Sequence, residues 1–347
     1  MYIFLVLSNL IVSFVTQNKK IILSYFLLSY ILIIGLRYDV GIDYMGYRNS
    51  FLKNINYEIG YSLLSNFVHF FKGNFYCFTV LISFFTVLPI SYYLINNFRK
   101  LAELRMGIFL FLLSSFNFSA MNLMRQSLAT SFCFLATDFY YKKNYKTFIF
   151  LILIAFSFHK SVIIYLILFF LVNNIRVKNN FSIIFLFLLF FSSKIISYSD
   201  LLLKVNNLTK VIYSSYNVNV IEKFSVSTQQ SNNIFNLGLL SLIILYTLIV
   251  FKEKEYLEYY EKFMFFSLIF RIFSTQNFLF NRISLYFDLY IFLSVLMYYL
   301  KNKDFKKKVI LGTTIFILFV NFIKTGYFSP ETQKNKYKSI FYEKVLK

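Results

Sequence analysis

Apolar runs separated by short basic loops occupy most of this 347-residue chain. Hydrophobic residues make up 58% of it and charged residues 15%, so a soluble domain of this length would lack the polar surface that it needs. We therefore predict an all-α, polytopic integral membrane protein with a single transmembrane domain over residues 1–347. It should contain about 12 spanning helices. Several runs fall short of the roughly 20 residues of a straight span, which predicts short or broken helices whose ends line a protein cavity.

The candidate spans are Tyr2–Thr16, Ile21–Leu36, Phe75–Ile95, Met106–Phe118, Asn122–Tyr140, Thr147–Phe158, Val162–Val172, Phe181–Ser197, Ile234–Phe251, Phe263–Ser274, Ile283–Leu300 and Val309–Ile323.

The net charge of +21 comes mainly from the short loops between these spans. The chain carries no motif typical of nucleic-acid binding, so we expect no nucleic-acid partner; the basic residues set topology and contact anionic lipid headgroups. With the spans above, the basic loops alternate to one side, which predicts a cytoplasmic location for them. The Lys-rich tail from Lys324 then lies on the opposite side, which strains this topology. If Thr147–Val172 were one helix, all later loops would change sides; we favour a break at His159, because a His-Lys pair in mid-membrane is costly.

Two loops are then extracytoplasmic, over residues 37–74 and 198–233. Within the first, residues 58–72 have the apolar stripe of an interfacial helix, with Leu63, Phe67 and Phe71 on one face. The segment Gly35–Phe51 is rich in Arg, Asp, Tyr and Gly directly after an uncharged run. Such a cluster at the end of a membrane helix is a functional-site hypothesis. The glycines leave open whether it forms a helix or a bent loop.

Ionisable residues gather on the same predicted outer side. They are Arg37, Asp39, Asp43, Arg48, Glu58, Arg125, His159 and Arg282. Arg125 is the most informative, since it lies inside an otherwise uncharged run where a lipid-facing Arg costs about 2.5–3.5 kcal/mol. The alternatives are interfacial anchoring for Arg37 and Arg48, charge neutralisation for the two Asp residues, and a backbone hydrogen bond for His159.

The order and spacing of several short motifs resemble a known family. They are Arg37-x-x-x-Gly41-x-Asp43-Tyr44-x-x-Tyr47, Glu58-x-Gly60-Tyr61, Asn122-Leu-Met-Arg125-Gln126-Ser-Leu-Ala129 and Phe158-His159-Lys160-Ser161, with a weaker Asn281-Arg282-x-x-x-Tyr286-Phe287. Together they resemble the EpsG / O-antigen-polymerase (Wzy-like) bacterial membrane proteins. The resemblance implies a helical bundle of the lipid-linked glycosyltransferase type in the bacterial inner (cytoplasmic) membrane.

The implied reaction joins undecaprenyl-diphosphate-linked oligosaccharide repeat units at the outer face of that membrane. A lipid-linked donor and acceptor, membrane lipids and a chain-length regulator are the implied partners. The product would be O-antigen, capsule or exopolysaccharide.

This chemistry assigns predicted roles to the residues. Negative charge grows on the leaving diphosphate, and Arg binds phosphate oxygens in a bidentate fork; Arg125, Arg37, Arg48 and Arg282 are the candidates. A base must take the proton of the acceptor hydroxyl, which Asp43, His159 or Asp39 could do. Tyr44, Tyr47 and Glu58 are predicted to bind sugar, although interfacial or packing roles are open for the tyrosines. We predict no cofactor and no metal, since no Cys/His/Asp cluster has ligand spacing.

Two other functions compete with the polymerase. A flippase or transporter of the same lipid-linked units would also need many spans and arginines, but it would predict internal repeats and a central polar cavity. A membrane acyltransferase would need a catalytic His, for which His159 is available.

Overall fold

The computed structural model describes residues 1–195, 233–250, 255–277, 279–301, 305–328 and 337–339. These segments are helical, with two isolated β-bridges and no strand among them. The helices are α1 Tyr2–Val15, α2 Lys19–Tyr30, α3 Tyr44–Leu52, α4 Ile59–Phe70, α5 Phe75–Asn97, α6 Leu101–Leu112, α7 Phe116–Asn122, α8 Met124–Tyr141, α9 Tyr145–Phe158, α10 Val162–Asn174, α11 Asn179–Ile195, α12 Asn233–Val250, α13 Tyr259–Ser274, α14 Leu279–Lys301 and α15 Phe305–Ile323. Two π-helical turns, Ile31–Gly35 and Lys324–Phe328, extend α2 and α15. The predicted loop 198–233 lies outside the described residues, except for Asn233, which begins α12.

The all-α, membrane-type prediction is confirmed in its general form. Three of the described helices are long and apolar enough to cross a membrane, namely Phe75–Asn97, Leu279–Lys301 and Lys308–Tyr327. The bent pair α6–α7 would make a fourth, and five further apolar helices are shorter. The total of about twelve spans stays a prediction.

The chain divides into two compact units. Unit 1 comprises Met1–Val162 and Phe319–Lys347, and unit 2 comprises Ile163–Leu318. The division reflects which segments contact each other, and the single transmembrane domain stays a prediction.

One end of unit 1 collects basic loops. The Lys19 ammonium donates to the main-chain carbonyl of Arg99, and Arg105 donates to the carbonyl of Thr16 at 2.9 Å. These contacts join the α1–α2 loop to the α5–α6 loop, two of the loops that the sequence predicts to share a side. The last turn of α8 lies at this end too, because the Asp138 carboxylate at its C-terminus accepts a hydrogen bond from Asn97 at the end of α5.

The other end of unit 1 collects the predicted site segments. Helix α5 begins there, where Phe75 packs edge-on against Tyr44, and it runs to the basic end over about 34 Å at 1.5 Å per residue. The C-terminal segment reaches this end as well: the Tyr337 hydroxyl donates to the Ile33 carbonyl at 2.9 Å, and the Tyr38 N–H donates to the Lys338 carbonyl at 2.7 Å. The structure therefore places Tyr337–Ser339 on the side of the Gly35–Phe51 segment, as the predicted alternation of spans requires.

A bend of 50° separates α6 from α7, where the sequence predicts an unbroken span over Met106–Phe118. The Asn117 side-chain amide donates to the carbonyls of Phe111, Leu112 and Ser114 at 2.8–3.2 Å. The Phe111 and Ser114 carbonyls also accept backbone N–H groups, and the Asn side chain adds further hydrogen bonds at the end of α6, which stabilises the bend. The predicted span Asn122–Tyr140 likewise begins two residues late, because Leu123 separates α7 from α8 with non-helical angles of φ −98° and ψ 57°.

The predicted break at His159 is present. Helix α9 ends at Phe158 and α10 begins at Val162. His159 caps α9 through its N–H, which donates to the Ala155 carbonyl at 3.1 Å. Phe158 packs against the buried cluster that contains Tyr61 and Phe78, which brings this break to the site end of unit 1.

Helix α4 has two unlike faces. Gly60, Tyr61, Ser65 and Val68 are buried, whereas the opposite apolar stripe is exposed, for example Leu63 at 63%. An interfacial helix needs one exposed apolar face that contacts lipid and another face that packs against the protein. The helix spans Ile59–Phe70, slightly less than the predicted 58–72, and its place at the membrane surface stays a prediction.

Gly60 is a point of close approach between α4 and α9. A Cβ atom there would lie 2.5 Å from the Ser157 Oγ and 3.0 Å from the Ser157 carbonyl oxygen. We expect Gly60→Ala to destabilise the protein by about 1–3 kcal/mol through overpacking, measured as a lower midpoint of thermal unfolding in detergent. Gly46→Ala in α3 is the matched control, because a Cβ there meets nothing within 4 Å. Alanine loses less backbone entropy than glycine when it is fixed in a helix, so the midpoint should stay the same or rise. Equal effects of the two substitutions would contradict the close contact.

Unit 2 is organised around the hairpin α13–α14, which contains a buried ion pair. Arg271 on α13 donates twice to the Asp288 carboxylate on α14, at 2.9 and 2.7 Å, and the Ser267 hydroxyl donates to the same carboxylate at 2.7 Å. Elsewhere in the unit, Lys178 and Glu255 form an exposed ion pair at 3.1 Å. That contact joins the α10–α11 loop to the α12–α13 loop, two loops that the sequence predicts on one side.

Candidate functional site

Arg125 lies at the start of α8, where it forms a buried ion pair with Glu58. Its Nη1 donates to the Glu58 Oε2, and the two side chains are only 9% and 6% exposed. Glu58 precedes α4 with an extended backbone, so the start of one helix faces the start of another. Since the N-terminus of a helix carries partial positive charge, a second positive charge at that place needs an anion, and the Glu58 carboxylate supplies it.

Three tyrosine rings surround this guanidinium. The Arg125 Cζ lies 4.0 Å from the centroid of the Tyr57 ring, 5.7 Å from Tyr61 and 5.8 Å from Tyr47. Cation–π attraction is worth about 0.5–2 kcal/mol per ring when the cation is desolvated. Tyr47 and Tyr61 belong to the sequence motifs but Tyr57 does not; its position one residue before Glu58 was the available signal. We call Arg125, Glu58, Tyr47, Tyr57 and Tyr61 the arginine cage.

The Tyr61 hydroxyl is a second unusual feature of the cage. Tyr61 is 1% exposed, and its hydroxyl has no hydrogen-bond partner among the described residues. Burial raises the pKa of Tyr61 above its ordinary value, so the phenol keeps its proton and can donate. A buried hydroxyl without a partner costs about 1–3 kcal/mol, which a polar ligand atom or a water molecule would offset.

The loop 37–43 packs tightly on the end of α7. Gly41 has φ +101°, and a Cβ there would lie 2.9 Å from the Met121 carbonyl oxygen, so the position requires glycine for both conformation and space. The Asp43 N–H donates to the Asn122 Oδ1 at 3.0 Å. The alternatives left open by the sequence are thereby decided: residues 37–43 form a bent loop, and the helix α3 begins only at Tyr44.

Arg37 is buried under this loop and contacts backbone. Its Nη1 donates to the Ile34 carbonyl, its Nη2 to the Met121 carbonyl at 2.8 Å, and its Nε to the Val40 carbonyl at 3.3 Å. The residue is 1% exposed, and desolvation lowers the pKa of its guanidinium from the ordinary value. Such an arrangement stabilises the junction of three segments, a role that the sequence did not indicate. Binding of diphosphate by Arg37 stays a prediction.

The other predicted residues of this segment have different environments. Tyr44 is fully buried, and its hydroxyl donates to the Arg37 carbonyl at 3.0 Å, so its ring lies in the core. The Arg48 Cζ lies 5.8 Å from the Tyr38 ring. Asp39, half-buried, adopts a left-handed backbone with φ +49°.

His159 lies at the α9–α10 break. It is 4% exposed, and its Nδ1 lies 2.6 Å from the Ser161 Oγ and accepts the Ser161 N–H at 3.3 Å. An N–H accepted at Nδ1 requires the ring proton to lie on Nε2. The imidazole thereby holds the backbone of the loop at the α9–α10 break.

Arg282 belongs to unit 2, near the start of α14. The same unit contains the Arg271–Asp288 pair, which was not predicted from the sequence. Opposite charges in two consecutive apolar spans were the available signal, because charged residues inside membrane helices usually pair with one another.

Three contacts bring the first four motif segments together in unit 1. Gly41 touches the Met121–Asn122 segment, Glu58 pairs with Arg125, and Gly60 touches Ser157. Tyr47 of the first motif, Glu58 and Tyr61 of the second and Arg125 of the third meet at one buried ion pair, and Ser157, which Gly60 touches, directly precedes the fourth motif. Among the described residues, no group of three or more His, Cys, Asp or Glu side chains is arranged to hold a metal ion.

Comparison with protein families gives a match to the EpsG family over residues 20–339. The chain belongs to the EpsG family. The match spans both units and all five motif segments. Comparison with curated proteins and with solved structures gives no match. Membership in the EpsG family indicates a membrane protein of polysaccharide biosynthesis, and the family is associated with glycosyltransferase-like polymerisation.

Proposed function

We propose that this EpsG-family protein polymerises undecaprenyl-diphosphate-linked oligosaccharide repeat units. The growing chain is transferred from its lipid diphosphate to a sugar hydroxyl of the incoming unit. The observation that carries the proposal is the convergence of three motif segments on the Arg125–Glu58 pair. A buried arginine among tyrosine rings combines a phosphate-binding group with ring faces on which sugars stack.

Arg125 is the proposed ligand of the donor diphosphate. As the glycosyl bond breaks, charge grows on the phosphate oxygens, and a pre-placed guanidinium in a buried site stabilises that charge without reorganisation. Arg48 and Arg282 remain proposed additional ligands. For Arg37 we propose that it holds the loop in place. Tyr47 and Tyr57 are the proposed sugar platform, whereas the more deeply buried Tyr44 and Tyr61 are proposed to support them.

The protein is proposed to lie in the bacterial inner membrane as a multi-pass protein, with the cage at the outer face. The support is the clustering of Lys19, Arg99 and Arg105 at the opposite end of unit 1, since short basic loops stay cytoplasmic. The proposed partners are the lipid-linked donor and acceptor, surrounding lipids and a chain-length regulator. O-antigen, capsule and exopolysaccharide are all compatible products.

A deletion strain tests this function. We expect loss of the surface-polysaccharide ladder on a gel, with single repeat units still exported, because polymerisation fails while transport continues. Complementation with the wild-type gene should restore the ladder. If no unit reaches the surface in the deletion strain, the protein moves the units across the membrane and the polymerase proposal fails.

A further inference from the structure

The Glu58 carboxylate occupies the place on Arg125 that a phosphate oxygen would need. It binds the guanidinium that we assign to the donor, at a site that α8 makes favourable for anions through its N-terminus. The cage also holds the Tyr61 hydroxyl, which has no hydrogen-bond partner among the described residues. The site is thus an anion site that the protein fills with its own carboxylate, next to a hydroxyl donor that no described residue uses.

We propose that Glu58 is the general base of the transfer, and that Arg125 holds it inactive until the donor diphosphate displaces it. This inference rests on the proposed function. A diphosphate carries more charge than a carboxylate and offers more oxygens to the planar guanidinium, so it can replace Glu58 on Arg125. The released carboxylate then lies beside the bound donor, where a base is needed.

The step balances as a simple displacement. The Glu58 carboxylate takes the proton of the acceptor hydroxyl, and the oxygen lone pair forms the new glycosidic bond at the anomeric carbon of the donor. The bond from that carbon to the diphosphate oxygen breaks, and its electron pair leaves with the polyprenyl diphosphate. Glu58 returns its proton to water and pairs with Arg125 again, which resets the site.

Binding of farnesyl diphosphate to the purified full-length protein in detergent tests the exchange, with inorganic pyrophosphate run beside it. In Glu58→Gln the competing carboxylate is gone, so we expect about tenfold tighter binding. In the complemented strain the same variant should polymerise about 10²–10⁴-fold more slowly, which is the usual contribution of a general base. Arg125→Gln should lose diphosphate binding. Glu255→Gln, at an exposed ion pair in unit 2, is the control and should change neither readout.

Tighter binding combined with slower polymerisation is a signature that a purely structural ion pair would not give. Unchanged or weaker binding by a folded Glu58→Gln variant overturns the exchange, and normal polymerisation by it overturns the base. Glu58→Asp keeps the carboxylate; we expect it to polymerise within about tenfold of wild type, and a loss as large as that of Glu58→Gln would also overturn the base. If pyrophosphate binds as tightly as farnesyl diphosphate, the site recognises the diphosphate alone. A deletion strain that keeps its ladder refutes the polymerase whatever the binding results, so the two failures are distinguishable.

Discussion

Replacing Arg37 with methionine should lower the midpoint of thermal unfolding by roughly 6–12 °C. The substitution removes three hydrogen bonds to buried carbonyls, each worth about 1 kcal/mol or more. A loss of about 3 kcal/mol corresponds to that shift in a cooperative unit of about 150–250 residues, the size range of unit 1. The polymerisation defect should then follow from loss of folded protein.

The two cysteines make this loss measurable. Cys133 is fully buried and Cys77 is exposed, so in a Cys77→Ser background a thiol-reactive dye reports unfolding through Cys133. Arg99→Met, at an exposed position, is the control and should leave the midpoint within about 1–2 °C. A normal midpoint together with a lost ladder would contradict the structural role and return Arg37 to the diphosphate.

Substitution of Arg125 alone should be more harmful to stability than substitution of both cage charges. Arg125→Met leaves the buried Glu58 carboxylate without its guanidinium, a loss of about 3–5 kcal/mol. The double variant Arg125→Met/Glu58→Gln contains two neutral side chains of similar length, so it should recover most of that loss. Both variants should still fail to polymerise, because the diphosphate ligand is absent.

A double-mutant cycle on the dye-detected midpoint separates these effects. We expect the two substitutions to be strongly non-additive, with a coupling of at least about 1.5 kcal/mol. The exposed pair Lys178–Glu255 provides the comparison, since surface ion pairs couple by about 1 kcal/mol or less. Additive losses at Arg125 and Glu58 would show that the pair does not hold the cage together.

The sequence predicted the features that follow from the cost of burying charge. The break at His159, the clustering of basic loops and the burial of Arg125 all follow from that cost. The family was also predicted, because the order and spacing of its short motifs can be recognised in the sequence without knowledge of the fold.

Features that depend on which groups meet in space were not predictable. Glu58 and Arg125 are 67 residues apart. From the sequence, Glu58 was predicted to bind sugar and Arg125 to bind diphosphate, and their ion pair was not predicted. The bend at Asn117 depends on one side chain that reaches three carbonyls, which residue type alone does not reveal. The buried contacts of Arg37, which was predicted to bind diphosphate with interfacial anchoring as the alternative, were not predictable because its carbonyl partners are backbone atoms, and these carry no sequence signal.

The hydrogen bonds between Tyr337 and Ile33 and between Tyr38 and Lys338 constrain the order of assembly during synthesis. Unit 1 is built from two stretches of chain with the whole of unit 2 between them. The ribosome must therefore complete about 300 further residues after Ile33 before those partners exist. Until then Ile33 and Tyr38 cannot make their contacts with Tyr337–Ser339. The segment Tyr337–Ser339 is therefore among the last parts of unit 1 to pack, although it packs against residues that are among the first to be synthesised.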